Sequence, residues 1–148
     1  MSHMTKAKTK IQDREALKRA LTALGFTVRE NCQIRSYDGA VEQCNVAAFW
    51  GKHGFGYTDH EAGGMEMLGD FWYFDWEAQS AALRDRISQQ ADWCNMDRHN
   101  TLEAIRAAVQ QEYNVQVAQQ QMQAMPGYTM AGYERLADGT MVLTARAY

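Results

Sequence analysis

Apolar and polar positions alternate strictly along residues 4–11, Met-Thr-Lys-Ala-Lys-Thr-Lys-Ile, with Lys6, Lys8 and Lys10 on one side and Thr5, Ala7, Thr9 and Ile11 on the other. A period of two predicts a half-buried strand, and its lysines would discourage unwanted edge pairing. The period then changes. Leu17, Leu21 and Leu24, with Ala16, Ala20 and Ala23 beside them, recur at helical spacing. Asp13 supplies an N-terminal cap and Gly25 a left-handed C-terminal stop. Phe26 to Arg29 reads as a strand, so the chain opens as strand, helix, strand.

Asp38-Gly39 predicts a tight turn. Beyond it residues 40–50 alternate, with Cys44, Val46, Ala48 and Trp50 on one face and Gln43, Asn45 and Ala47 on the other. Short antiparallel strands are expected around Phe55 to Asp59 and around Met65 to Trp72. From about Trp76 the pattern turns helical, through Leu83, Ile87 and Trp93. Asn100 with Glu103 resembles a capping box, which starts a further helix through Leu102, Ile105, Ala108 and Val109. Tyr113, Val115 and Val117 alternate like a strand, although the Gln-rich stretch to Met125 can also be read as helix. Pro126-Gly127 ends that element, and 128–135 with 140–147 form a hairpin around Asp138-Gly139.

The order helix, strand, Asp-Gly turn, strand occurs in both halves of the chain. Duplicated strand-helix-strand-strand units build one mostly antiparallel sheet with helices chiefly on one face. The reading is therefore a single α+β domain over 1–148 with about six or seven strands. Its second sheet face would be free for binding or covered by another chain.

With 148 residues, 46% hydrophobic and 22% charged, the composition is that of an ordinary globular protein. No apolar run approaches the ~18 residues that cross a bilayer, and no signal-peptide core opens the chain. A soluble protein of the cytoplasm or a plastid stroma, with no membrane partner, is expected. Cys32, Cys44 and Cys94 are an odd count without paired spacing, which argues against a disulfide scaffold. The net charge of -3 hides a split: residues 1–35 hold eight Lys/Arg against three acids, and residues 36–79 hold Lys52 against eight acids. Such ends either steer a charged partner or neutralise each other.

One run of residues resembles a known family. Met1-Ser2-His3, Lys8-Thr9-Lys10-Ile11, Asp13, Glu15-Ala16-Leu17, Ala20-Leu21 and Leu24-Gly25-Phe26-Thr27-Val28 resemble hypothetical chloroplast reading frame thirty-five, a family of uncharacterised plastid, cyanobacterial and bacterial proteins. Asp70-Phe71-Trp72 looks like its Asp-Trp-Trp step, and Thr101 to Ala104 and Asp138-Gly139-Thr140 continue the likeness. The segments 65–77 and 116–125 are longer than the family pattern. The resemblance implies that Met-Ser-His is native sequence. It implies no agreed activity. Bacterial members that sit beside AAA-type ATPases imply an accessory role.

Candidate chemistry is sparse. His53, Asp59, His60, Glu61, Cys94 and His99 show no metal-ligand spacing, and no cofactor or metal is expected. Cys32 has Arg29 and Arg35 nearby to lower its pKa, but no histidine is placed beside it. There is no nucleophile elbow and no phosphate-binding glycine loop, so catalysis has no recognisable constellation. Phe71, Trp72, Tyr73, Phe74 and Trp76 place five aromatics within six positions, more than one core face accepts. Trp72 and Trp76, with Phe71 and Tyr73, are expected at a protein-binding surface, rimmed by Asp70, Asp75 and Glu77. The function expected is a non-catalytic accessory protein, its partner an AAA-type ATPase or a small neighbouring subunit. The alternative is a nucleic-acid-binding module that tracks phosphates with Lys6, Lys8 and Lys10.

Overall fold

The computed structural model describes residues 4–60, 63–71, 74–88, 98–124, 127–135 and 141–147. Strand β1 (Thr5–Lys8) leads into helix α1 (Arg14–Ala23). The Asp13 carboxylate accepts the Ala16 N–H at 3.1 Å, the cap that its sequence position predicts. At the other end Gly25 takes φ +91°, while Gly25 N–H donates to Thr22 O and Phe26 N–H to Leu21 O. This pair of bonds satisfies the last carbonyls of the helix. Ala16, Leu17, Ala20 and Leu21 are buried beneath α1.

Strands β2 (Thr27–Arg35), β3 (Val41–Trp50), β4 (His53–Asp59) and β5 (Met65–Gly69) follow as an antiparallel meander. Strand β1 pairs with β5, so the order is β1-β5-β4-β3-β2. Helices α2 (Ala81–Ser88) and α3 (Arg98–Gln123) come next, then β6 (Tyr128–Arg135) and β7 (Met141–Ala147), paired as a separate two-stranded sheet. The architecture is α+β. Its main core joins Leu17, Leu21 and Leu24 with Val46, Ala48, Phe55, Tyr57, Met65 and Met67 of the sheet and with Leu83, Ile87, Ile105 and Val109 of the later helices.

Tyr113, Val115 and Val117 belong to α3, the helical of the two readings that the sequence leaves open, because Ile105, Val109 and Tyr113 continue one helical seam into the core. The parallel between the two halves therefore breaks at this point. Asn100 lies inside α3, two residues past its first, rather than at its cap. The second helical region starts at Ala81 instead of Trp76, because Asp75 first makes a turn: its carboxylate accepts Ala78 N–H at 3.2 Å. Pro126, Trp93 and the Asp138-Gly139 turn lie outside the described residues.

The back of the sheet holds a second cluster of Ile34, Cys44, Ala47 and Leu68, with Met4, Cys32 and Phe49 packed against it. Cys44 does not share a face with Val46, Ala48 and Trp50, as strict alternation predicts. The β2–β3 register runs Glu30 to Val46 and then Cys32 to Cys44, passing over Asn31 and Asn45. Asn31 takes φ +50°, and the Asn45 side chain accepts the Asp59 N–H at 3.0 Å. Asparagine enters the left-handed region more readily than other side-chain-bearing residues. Alternation therefore flips at this level, and the hairpin arm beyond it bends over the back of the sheet. Part of the face expected to be free is thus covered by the chain itself.

Glycine makes this possible. A Cβ on Gly56 would collide with Cys44 Sγ and Cβ, and one on Gly54 would lie 2.6 Å from the Phe49 ring. Gly56→Ala is expected to cost about 1–3 kcal/mol of stability through overpacking, despite the entropic gain of replacing glycine. Combined with Cys44→Ala, most of that loss should return. Chemical denaturation of both single variants and the double variant measures the coupling, and strictly additive losses would contradict the contact.

Candidate functional site

The aromatic segment after β5 divides between core and surface. Phe71 is 1% exposed, its ring 5.8 Å from Phe55 and 6.2 Å from Phe74. It is a core residue, not the surface anchor expected of it, because Gly69 leaves room for its ring beside Phe55. Phe74 is also buried and meets Trp50 at 4.7 Å and Trp76 at 4.8 Å, both near edge-on. Trp76 is half-buried against the core, and Asp75 and Glu77 beside it are exposed. Trp72 and Tyr73 lie outside the described residues.

The tip of the β2–β3 arm reaches this segment. Its turn is closed by Ser36 N–H donating to Ala40 O at 2.8 Å, with Gly39 at φ +95°. Ala40 N–H donates to Ser36 Oγ and to Asp38 Oδ1, each at 3.0 Å, and the Ser36 hydroxyl donates to Asp38. Tyr37 N–H donates to the carboxylate of buried Asp70 at 2.9 Å, and its ring stacks on His53 at 4.8 Å. Tyr37 and Val41 are each 41% exposed and, with Val142, are the large hydrophobics most open to solvent among the described residues. Sequence reading missed Tyr37 and Val41, and weighed His53 only as a metal ligand. Asp38-Gly39 marked the turn, but the surface it reaches is set by the bend at Asn31 and Asn45.

The basic residues separate into two groups. Lys6 and Lys8 are exposed and stand opposite Leu68 and Glu66 of β5, on the back of the sheet. Strand β1 ends at Lys8, so Lys10 leaves their row; its backbone N–H donates to Gln110 of α3 at 3.4 Å. None of the three lysines makes an ion pair among the described residues. The cations of α1 are engaged. Arg14 meets Asp59 at 3.0 Å, and Lys18 lies 2.8 Å from Glu15 and 3.3 Å from Glu30. The Glu15 hydrogen bond, with Glu30 adding to it, raises the Lys18 pKa. The Arg14 pair ties the basic end to the acidic middle, so part of the charge split is neutralised internally. Exposed pairs of this kind contribute little stability.

Metal and nucleophile candidates do not assemble. Among the described residues no three His, Cys, Asp or Glu side chains come together around a cation site; Glu61, Cys94 and the His99 side chain lie outside them. No helix among the described residues is long and apolar enough to cross a membrane. Burial pushes the Cys32 thiol up, and Arg29 only partly offsets this, so the activation expected from its arginines is outweighed. The Cys44 thiol is pushed up to about 12, chiefly by burial, then by Cys32 and Glu42. In a Cys94→Ser background, alkylation of Cys32 at pH 7 should be slower than that of an unstructured cysteine peptide. Because the thiolate reacts, the rate should climb about tenfold per pH unit up to pH 9. Iodoacetamide kinetics followed by mass spectrometry measure this, and a rate already at its plateau at pH 7 would show a lowered pKa instead.

Compared with known proteins, this chain matches no family model, no curated protein and no solved structure, so its functional reading rests on the residues assembled above.

Proposed function

We propose that this chain is a non-catalytic accessory protein that binds another protein at the surface where the β2–β3 tip meets Asp70. One observation carries the reading: two of the most exposed large hydrophobics, Tyr37 and Val41, sit on a tip that is fastened to Asp70, at the head of the aromatic segment. Half-buried Trp76 and exposed Asp75 and Glu77 follow Asp70 in the chain, and exposed Asp38 lies on the tip itself. Interface cores favour such aromatics, and a polar rim excludes water around them. The partner class, an AAA-type ATPase or a small neighbouring subunit, is drawn from the family resemblance. Trp72 and Tyr73 extend the same segment in sequence.

The test uses the full chain as bait in the native host's lysate, with nuclease and with or without ATP. The wild type is expected to retain a stoichiometric protein, released by ATP if the partner is an ATPase. Replacing Tyr37 and Val41 with Ala should weaken retention about 30-fold, the ~2 kcal/mol of a hot spot. Equal recovery by the variant, with an unchanged melting curve, would sink the reading.

A second reading, nucleic-acid binding, is supported by the exposed row of Lys6 and Lys8, which makes no ion pair among the described residues. Under it, changing Lys6, Lys8 and Lys10 to Gln should reduce the slope of log affinity against log salt by about 2–3. An unchanged slope would remove these lysines from any phosphate contact.

A further inference from the structure

We propose that Cys32 and Cys44 form a reversible cross-strand disulfide, closed by hydrogen peroxide, that fastens the β2–β3 arm at the point where it bends over the sheet. The two residues are direct register partners on adjacent antiparallel strands. Partners of this kind stand about 4.5–5.5 Å apart between Cα atoms, inside the 4.4–6.8 Å that a disulfide spans. Both are free thiols, and both pack in the same back-face cluster with Ile34, Ala47 and Leu68, so their side chains share one side of the ladder.

Position assigns the roles. Strand β2 is at the edge of the sheet, with one neighbouring strand among the described residues, and Cys32 on it is half-buried. It is the thiol that peroxide reaches. Cys44 is 2% exposed and lies over Gly56. It is the resolving thiol. Asn31, immediately before Cys32, already leaves the regular ladder, which gives the edge freedom to bring the two sulfurs together.

The chemistry balances. The Cys32 thiolate attacks one peroxide oxygen, the O–O bond breaks, and hydroxide departs and takes up a proton as water. The Cys44 sulfur then attacks the resulting sulfenic acid, the S–O bond breaks, and a second water leaves. Two thiols give up two electrons and two protons, and the peroxide takes up both. Burial of the thiols makes the reaction slow at neutral pH, suited to sustained rather than brief oxidant. The bridge encloses residues 33–43 and the Tyr37 tip, so the oxidised arm keeps fewer open conformations.

Reduced full-length Cys94→Ser protein, treated with hydrogen peroxide, tests the proposal by intact mass, peptide mapping and melting. The expected result is a loss of about 2 Da, a peptide linking Cys32 to Cys44, and a melting temperature raised by about 5 °C, all reversed by dithiothreitol. Cys32→Ser and Cys44→Ser should each abolish the mass loss. If the Cys94→Ser protein folds poorly, mapping of the oxidised wild type should find Cys32 joined to Cys44 in preference to Cys94. Added oxygen without a crosslink, a link between two chains, or a lower melting temperature would each overturn the proposal.

Discussion

Strand β4 has two different sides, and the path of the chain around it follows from that difference. Phe55 and Tyr57 point into the main core, where both are fully buried, while Gly54 and Gly56 leave the opposite side without side chains. A strip of bare backbone lets another segment approach more closely than any side chain would allow. Phe49 and Cys44 occupy that strip, and Arg29 lies over the Phe49 ring at 5.5 Å. The β2–β3 arm can therefore lie against the back of the sheet, bringing Tyr37 to Asp70. Larger residues at 54 and 56 would lift the arm away and separate its tip from the aromatic segment.

The helical layer rests on a comparable constraint at its centre. Tyr113 of α3 accepts two backbone donors through its hydroxyl, Gln12 N–H at 3.2 Å and Asp13 N–H at 2.9 Å, which hang the entry to α1 on the later helix. Ser80 joins the other end: its hydroxyl donates to Leu24 O at 2.5 Å and accepts Leu83 N–H at 3.2 Å, so one side chain closes α1 and opens α2. Between α2 and α3 the Arg86–Glu112 pair is mostly buried, and Gln116 donates to the second Glu112 oxygen at 3.2 Å. Losing one partner of such a pair strands the other charge away from water. Helix α3 is thus fixed by polar contacts as well as by its apolar seam.

What could be read from the sequence follows from which interactions are local. The Asp13 cap, the Leu17–Leu21 face and the Gly25 stop all lie within one turn of the residues they serve, and all three are as expected. The alternation of β3 misleads from Cys44 to the tip, Gln43 included, because a flip at Asn31 and Asn45 involves two strands and leaves no period in either. The far end of helix α3 stays open for another reason: its buried face, Thr101, Leu102, Ala104, Ile105, Ala108, Val109, Glu112, Tyr113 and Val115, is broad and mixes polar Thr101 and Glu112 with apolar positions, so no clean apolar stripe marks how far it runs. Five aromatics in six positions are too many for one flat core face, which is why the sequence alone puts Phe71 at the surface. A chain of ring contacts accommodates more of them than a single flat face does.

That chain of rings also bears on how the proposed surface would bind. Trp76 touches Phe74, Phe74 touches Phe71 and Trp50, and these meet Phe55 and Phe26 within the main core. Edge-to-face ring contacts each add to the area that their burial already stabilises. The half-buried tryptophan is consequently held from beneath by rings that belong to the fold. A partner that covers it has little side-chain freedom left to remove, which lowers the entropic cost of association. Tyr37 is held in a similar way, by its backbone bond to Asp70 and its stack on His53. Both anchors of the proposed interface are therefore ordered before any partner arrives, Trp76 by the chain of core rings and Tyr37 by the placement of the arm against β4.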